Sequence, residues 1–211
     1  IHYHLPDNDE FREAFFSDTS SVLVKRGDFL SEETLEAESQ RSSAALRNAG
    51  YYGFTKNYFF FQADTLAAPG SAILDYRING YTRNESPKDA VTFRKFHFAD
   101  VNIIHPESFR IREKVLRDLN TIHPGELYNE NMVNNTYSRL SSLNVLSGVN
   151  IDIRQVDTSS INADISLTTA KLQGLKFNIE ASSNSSGLLG ISPGLSFYHK
   201  NIFRGGEVLN L

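Results

Sequence analysis

Between Lys171 and Leu211 apolar and polar positions alternate with a period of two. Leu175, Phe177, Ile179 and Ala181 interleave with Lys176, Asn178, Glu180 and Ser182. A polar, Gly-bearing turn follows (Ser183, Asn184, Ser185, Ser186, Gly187). A second extended run covers Leu189 to Lys200, with Leu195 and Phe197 on one face. Asn201-Ile202-Phe203-Arg204-Gly205-Gly206-Glu207 then reads as a turn, and a third run starts at Val208. Strands of about ten residues separated by turn chemistry are the signature, weak in any single segment, of a transmembrane β-barrel.

The pattern upstream is mixed. Ile1 to Leu5 reads as a short strand stopped by Pro6-Asp7-Asn8, and Asp9 to Phe16 as a short helix with Phe11 and Phe15 on one face. Ser31 is a good N-cap, and Glu32 and Glu33 suit the first turn of a helix. That helix is expected to reach Ala49, to turn Leu35, Ala45, Leu46 and Ala49 inward, and to stop at Gly50. Aromatic-rich Tyr51 to Ala63 reads as a strand whose rings are chiefly core. Pro69-Gly70 marks a turn, Ala72 to Ile78 a further strand, and Tyr81 to Ala90 a polar loop.

The order then recurs. Val91 to Ile104 is extended. Glu107 to Leu119 reads as a helix with Ile111, Val115, Leu116 and Leu119 inward, and Pro124-Gly125 ends it. Asn129 caps a second helix that places Met132, Val133, Tyr137 and Leu140 on one face. Leu143 to Ile153 and Ile161 to Leu167 read as strands, the latter with Ile161, Ala163, Ile165 and Leu167 in clean alternation. The chain therefore reads as α+β: two tandem βααββ domains at 1–84 and 85–170, then the opening strands of a barrel at 171–211. The repeat lies in element order, not in residue identity.

Composition narrows this picture. The 211 residues are 40% hydrophobic and 22% charged, enough for packed cores, and the net charge of −4 lacks the basic footprint of a nucleic-acid binder. With no cysteine, disulfides, thiolate metal sites and a Cys nucleophile are excluded. No stretch approaches the length of a membrane helix. A chain that begins with Ile1 rather than Met is expected to continue upstream, with any targeting signal there.

Local patterns add a family resemblance. Val24-Lys25-Arg26-Gly27-Asp28-Phe29 precedes a helix that leaves through Leu46-Arg47-Asn48-Ala49-Gly50-Tyr51-Tyr52-Gly53-Phe54. Phe61-Gln62-Ala63-Asp64-Thr65 follows. Tyr137-Ser138-Arg139-Leu140-Ser141-Ser142-Leu143-Asn144-Val145 is a second helix exit, and Asn201 to Glu207 a turn between barrel strands. In this order they resemble the POTRA domains and barrel start of the outer-membrane assembly family, the BamA/TamA-like surface antigens, in their Bacteroidetes branch.

The resemblance implies a POTRA-like fold in which the strand after the helices lies at a sheet edge. An open edge pairs with an incoming extended chain almost regardless of sequence. Client-binding residues would be Tyr58, Phe59, Phe60 and Phe61 on one edge and Val145, Val149, Ile151 and Ile153 on the other. Leu175, Phe177, Ile179 and Ala181 would face lipid, with 184–187 turning outside and 201–207 turning back in the periplasm. The implied partners are unfolded outer-membrane β-barrel proteins, accessory assembly lipoproteins and outer-membrane lipid, without nucleic acid or cofactor. The implied location is the outer membrane, with this segment mainly on the periplasmic side. A two-partner secretion pore is the competing reading within that class, and an envelope-binding module lies outside it.

Enzyme signals are few. Gly190-Ile191-Ser192-Pro193-Gly194 matches the nucleophile elbow of a soluble hydrolase, but the elbow needs a following helix, and Leu195 to Lys200 alternates like a strand. His2 and His4 share a strand face without further ligands at a recognisable spacing. Arg110, Arg112, Lys114 and Arg117, offset by Glu113 and Asp118, read as a solvated helix face, with contact to lipid headgroups or a partner as the alternative.

Overall fold

A computed structural model describes residues 1–68, 70–183 and 189–210. They divide into two compact units: Ile1–Ala99, Pro124–Asn131 and Gln155–Ile161, and Asp100–His123, Met132–Arg154 and Asn162–Leu211.

The first unit is built on a three-stranded sheet in the order β1–β3–β2, with β1 His2–His4, β2 Phe59–Ala68 and β3 Ser71–Ile78. β1 runs parallel to β3, with Tyr3 beside Tyr76, and β2 antiparallel, with Phe61 beside Tyr76. Helix α1 (Asp9–Phe16) starts where the Asn8 carboxamide oxygen accepts from the Phe11 N–H at 3.1 Å. Helix α2 (Glu32–Asn48) starts where Ser31 Oγ accepts from the Thr34 N–H at 3.1 Å, satisfying a donor that the helix itself leaves unpaired. Gly50, at φ +106°, reverses the chain after α2. A Cβ there would lie 2.9 Å from Leu127 Cδ1, so both the conformation and the packing call for glycine. The core gathers Phe11, Leu46, Tyr51, Phe54, Phe59, Tyr76, Ile78 and Phe93. Phe11 stacks on Phe93 at 5.0 Å and meets Tyr51 edge-on at 5.2 Å.

Several expected elements differ here. Tyr51 to Tyr58 is not strand: Gly50 and Gly53 hold positive φ, and Phe54 N donates to Tyr51 O. Tyr51 and Phe54 reach the core by turning, not by alternating. The buried face of α2 is mainly polar (Glu38, Ser39, Ser42, Ser43, Leu46); Leu35, Ala45 and Ala49 are only partly covered. Val91 to Phe96 carries no regular structure.

The second unit is built on a sheet in the order β4–β6–β5, with β4 His97–Ile104, β5 Leu146–Gln155 and β6 Ser160–Thr169. Helices α3 (Glu113–Leu119) and α4 (Glu130–Ser141) supply Leu116 and Leu140 to a core with Phe109, Val145, Ile165 and Leu167. The expected helix from Glu107 thus begins only at Glu113. Thr136, not Tyr137, joins Leu140 on the inward side of α4; its hydroxyl accepts from Thr121 N at 2.9 Å, while Tyr137 is half exposed.

A third sheet, order β7–β8–β9, completes this unit with β7 Gln173–Ser183, β8 Leu189–Lys200 and β9 Val208–Asn210, all antiparallel. The turn expected at 184–187 and Pro69 of the Pro69-Gly70 turn lie outside the described residues.

Candidate functional site

Two surfaces stand out, one in each unit. In the first, β2 is a sheet edge, so alternate backbone N–H and C=O groups point away from β3. A groove of about 720 Å³ runs beside it, lined by Glu32, Glu36 and Ser39 of α2, by Lys56, and by Phe59 and Phe61. Glu36 closes one side through its contacts with Lys56 and Gln40. Regular pairing of β2 and β3 ends at a bulge between Asp64 and Ala68, where Leu66 N donates to the Asp64 carboxylate.

The aromatic residues expected on this edge have different surroundings. Phe59 is buried in the core, Phe61 packs on Tyr76 at 4.9 Å, and Phe60 lies on the opposite face against Tyr81. Tyr58 precedes the strand in a single 3-10 turn and packs on Phe54 and Phe93. In the second unit β5 is likewise an edge. Val145 lies just ahead of it, fully buried, with its carbonyl accepting from Ala170 N. Val149 and Ile151 pack against the core, and Ile153 is half-buried. At both edges the backbone, more than these side chains, is what faces outward.

A buried ionic cluster holds α2 beside the groove. Glu38 is 1% exposed. Its carboxylate accepts from Arg41 at 2.8 and 3.0 Å, from Ser42 at 2.7 Å and from Leu23 N at 2.8 Å, and Arg41 also pairs with Asp18 at 2.8 Å. Burial alone would push the Glu38 carboxyl up. The Arg41, Leu23 and Ser42 hydrogen bonds outweigh it, and the group sits below the usual carboxylate range. Sequence reading missed this cluster; the buried-charge spacing of Glu38 and Arg41 looks like any exposed helix pair.

The second surface is the β7–β8 hairpin. Leu175 pairs with Phe197, Phe177 with Leu195, Ile179 with Pro193 and Ala181 with Ile191. Directly opposed residues point to the same side, so these eight make one continuous apolar face. Leu175, Phe177 and Ile179 are 73%, 64% and 65% exposed. The other face carries Lys176, Asn178 and Glu180 opposite Ser196, Gly194 and Ser192. Ser192 therefore sits mid-strand, and the nucleophile-elbow geometry is not formed. Among the described residues no group of three or more metal-ligating side chains converges. His2 and His4 both approach the Asp75 carboxylate, at 3.5 and 3.4 Å.

The hairpin is fastened to its own unit. Asn201, buried at φ +75°, donates from Nδ2 to Arg110 O at 2.8 Å and accepts on Oδ1 from Gly206 N at 3.1 Å. Arg112 N donates to Arg204 O at 3.0 Å. The Glu207 carboxylate accepts from the N–H groups of Phe203 and Gly205. These bonds explain the missing first half of the expected helix: the backbone of 110–112 is committed to the 201–207 turn.

No family model matches the sequence, and no curated protein does. Among solved structures the chain is similar to BamA from Haemophilus ducreyi lacking POTRA domains 1–3, with a TM-score of 0.66 and 14% identity over all of this chain and 36% of that one. It is also similar to CdiB from Acinetobacter baumannii, with a TM-score of 0.50 and 11% identity over all of this chain and 36% of that one. The chain spans about a third of the length of each. At these identities the likeness is one of fold: a mixed α+β arrangement of small sheets and helices that matches POTRA-like domains.

Proposed function

We propose that this chain is a POTRA-bearing periplasmic segment and the opening strands of an outer-membrane protein that assembles or inserts β-barrel proteins. The observation that carries this reading is the hairpin in which the four rows from Leu175–Phe197 to Ala181–Ile191 are apolar on one exposed face while the rows between them carry Lys176, Asn178 and Glu180 on the other. Such a face suits lipid on one side and a polar lumen on the other. No helix among the described residues is long and apolar enough to cross a membrane, which leaves strands unaffected. Unfolded barrel proteins pair in extended form along the β2 and β5 edges, where main-chain bonds give affinity with little sequence demand. The role needs binding and lipid contact, not catalysis.

Two measurements test it. In the full-length protein, Phe177→Asp with Ile179→Asp should abolish assembly into the outer membrane; normal surface levels would sink the lipid-facing assignment. An unfolded barrel-strand peptide should shift and protect amides of Phe59–Asp64 and Leu146–Arg154 in the present chain. If neither set responds, edge pairing is wrong. A second reading is the two-partner secretion pore. That reading expects the peptide of a dedicated secreted partner, not peptides of many barrels, to give the response.

A further inference from the structure

We infer that Arg110, Arg112 and Arg204, with the exposed Ile202 and Phe203, form a membrane-surface contact that binds anionic phospholipid headgroups at the foot of the β7–β8 hairpin. The inference rests on the lipid-facing reading of that hairpin.

The sequence places Arg110 and Arg112 on a helix face, but they are on an extended segment. Helix α3 begins only at Glu113, and Ile111 packs into the core between the two arginines. Arg110 and Arg112 are both exposed on the side away from Ile111. The 201–207 turn brings a third arginine to them: Arg112 N reaches Arg204 O at 3.0 Å, and Asn201 Nδ2 reaches Arg110 O at 2.8 Å. Among the described residues no hydrogen bond or ion pair engages any of these three guanidinium groups. Glu207 lies within the field of Arg112, but its carboxylate oxygens already accept from Phe203 and Gly205. The turn also presents Phe203, 71% exposed, and Ile202, 42% exposed.

Depth along the hairpin fits a headgroup layer. The apolar face ends at the Leu175–Phe197 row, the next row on that face is Gln173–His199, and the turn begins at Asn201. Four residues from Phe197 to Asn201 cover about 14 Å of strand. At the usual strand tilt of about 45° this is about 10 Å along the membrane normal. That distance carries the turn through the interfacial zone outside the hydrocarbon. Apolar rings suit that zone, and guanidinium groups pair with phosphates in bidentate fashion. Charge complementarity and continuity with the apolar face both point to a lipid surface.

The test is flotation of the chain with neutral phosphatidylcholine vesicles and with vesicles that also carry phosphatidylglycerol. Anionic lipid should raise partitioning about tenfold, since each basic residue at such a surface adds appreciably. The combined Arg110→Gln, Arg112→Gln and Arg204→Gln variant should fall to within about twofold of the neutral level, with neutral binding and unfolding unchanged. The inference is overturned if anionic lipid adds nothing, if the triple variant keeps the increment, or if Lys25→Gln with Arg26→Gln loses it equally. Competition by inorganic phosphate would also overturn it, because that outcome assigns a discrete anion site. Phe177→Asp with Ile179→Asp separates the two ideas. Neutral-vesicle binding that survives this variant defeats the lipid-facing reading, whereas the arginine contact fails only on the anionic increment.

Discussion

Strands β6 and β7 carry almost the same pattern and meet opposite surroundings. In β6, Ile161, Ala163 and Ile165 are 0% exposed and Leu167 4%; in β7, Leu175, Phe177 and Ile179 are 64–73% exposed. Their side chains are of the same kind. What differs is the company: β6 is the centre of its sheet and lies in a core with Leu116 of α3 and Leu140 of α4. β7 is an edge strand whose apolar face is continued by β8 and, among the described residues, by no helix residue of the apolar core. Period-two alternation settles which side of a strand is apolar, not which medium that side meets. The polar sides differ as well. In β6, Asn162 and Asp164 bond to Asp100 N and Asn102 across the sheet, whereas the polar residues of β7 face the small Gly194, Ser192 and Ser196.

A charge placed at matched positions separates the two strands most strongly. Ile165→Asp should cost at least 4 to 5 kcal/mol, roughly the loss from an unpaired carboxylate in a packed core, and leave the chain unfolded. Phe177→Asp should change stability in water by no more than about 0.5 kcal/mol, as at an ordinary surface position. Denaturant unfolding of both variants decides it. Comparable destabilisation would mean that the β7 face is a core after all.

Cover need not be apolar, as the first unit shows. There α2 presents Glu38, Ser39, Ser42 and Ser43 inward. Glu38→Ala leaves Arg41 and the Leu23 N–H without their main partner and should cost about 3 kcal/mol. Because the folded Glu38 carboxyl sits below its unfolded value, its contribution is complete above the ordinary carboxylate pKa and is lost as pH falls through the folded one. Acid unfolding of the wild type should therefore show a carboxylate dependence that Glu38→Ala removes; unchanged acid sensitivity would count against the cluster.

These cases mark what was legible in the sequence. Caps and alternation are local, and there the reading was close: Ser31, the Ile161–Leu167 run and the limits of β8 all stand as expected, although the cap at Asn8 was not foreseen. The misses involve bonds to distant residues. Residues 110–112 look helical until Asn201 and Arg204 claim their backbone. Tyr51 to Tyr58 looks extended until glycines with positive φ turn it. Thr136 displaces Tyr137 because Thr121 offers it a buried partner. In the candidate site, the apolar hairpin face could be read at β7 from alternation alone. The β8 half was less clear because Gly190, Ser192 and Pro193 resemble a turn. Pro193 is tolerated since β9 pairs only with Tyr198 to Lys200, leaving the outer edge of β8 beyond them unpaired among the described residues.

A smaller effect distinguishes the two faces of the hairpin itself. On the polar face the Tyr198 ring lies over Gly174, where a Cβ would come within 2.6 Å of it. Gly174→Val should displace that ring and cost about 2 kcal/mol within the hairpin, in the range of overpacking. Hydrogen exchange should report faster opening of β7 and β8 with β6 unaltered. Spread of the effect into β6 would show that the third sheet and the second are one cooperative block.

The smallest change tests how the hairpin is fastened. Asn201→Ala removes the bond to Arg110 O and leaves Gly206 N without its acceptor, a loss of about 1 kcal/mol. It also puts alanine at φ +75°, a conformation asparagine tolerates better. The neighbouring Glu207 offers a readout. The Phe203 N–H is the chief group holding its carboxyl below the usual range, against a smaller upward push from burial, with further help from the Gly205 N–H and the Arg112 charge. Its contribution is thus present above the ordinary carboxylate pKa and disappears as pH falls through the lowered folded value. In the wild type the Phe203 and Gly205 amide shifts should titrate together at that lowered pKa. In Asn201→Ala the turn loosens and the midpoint should move up toward an ordinary glutamate. A midpoint unmoved by the substitution would show that the Glu207 turn holds its shape without its anchor on residues 110–112.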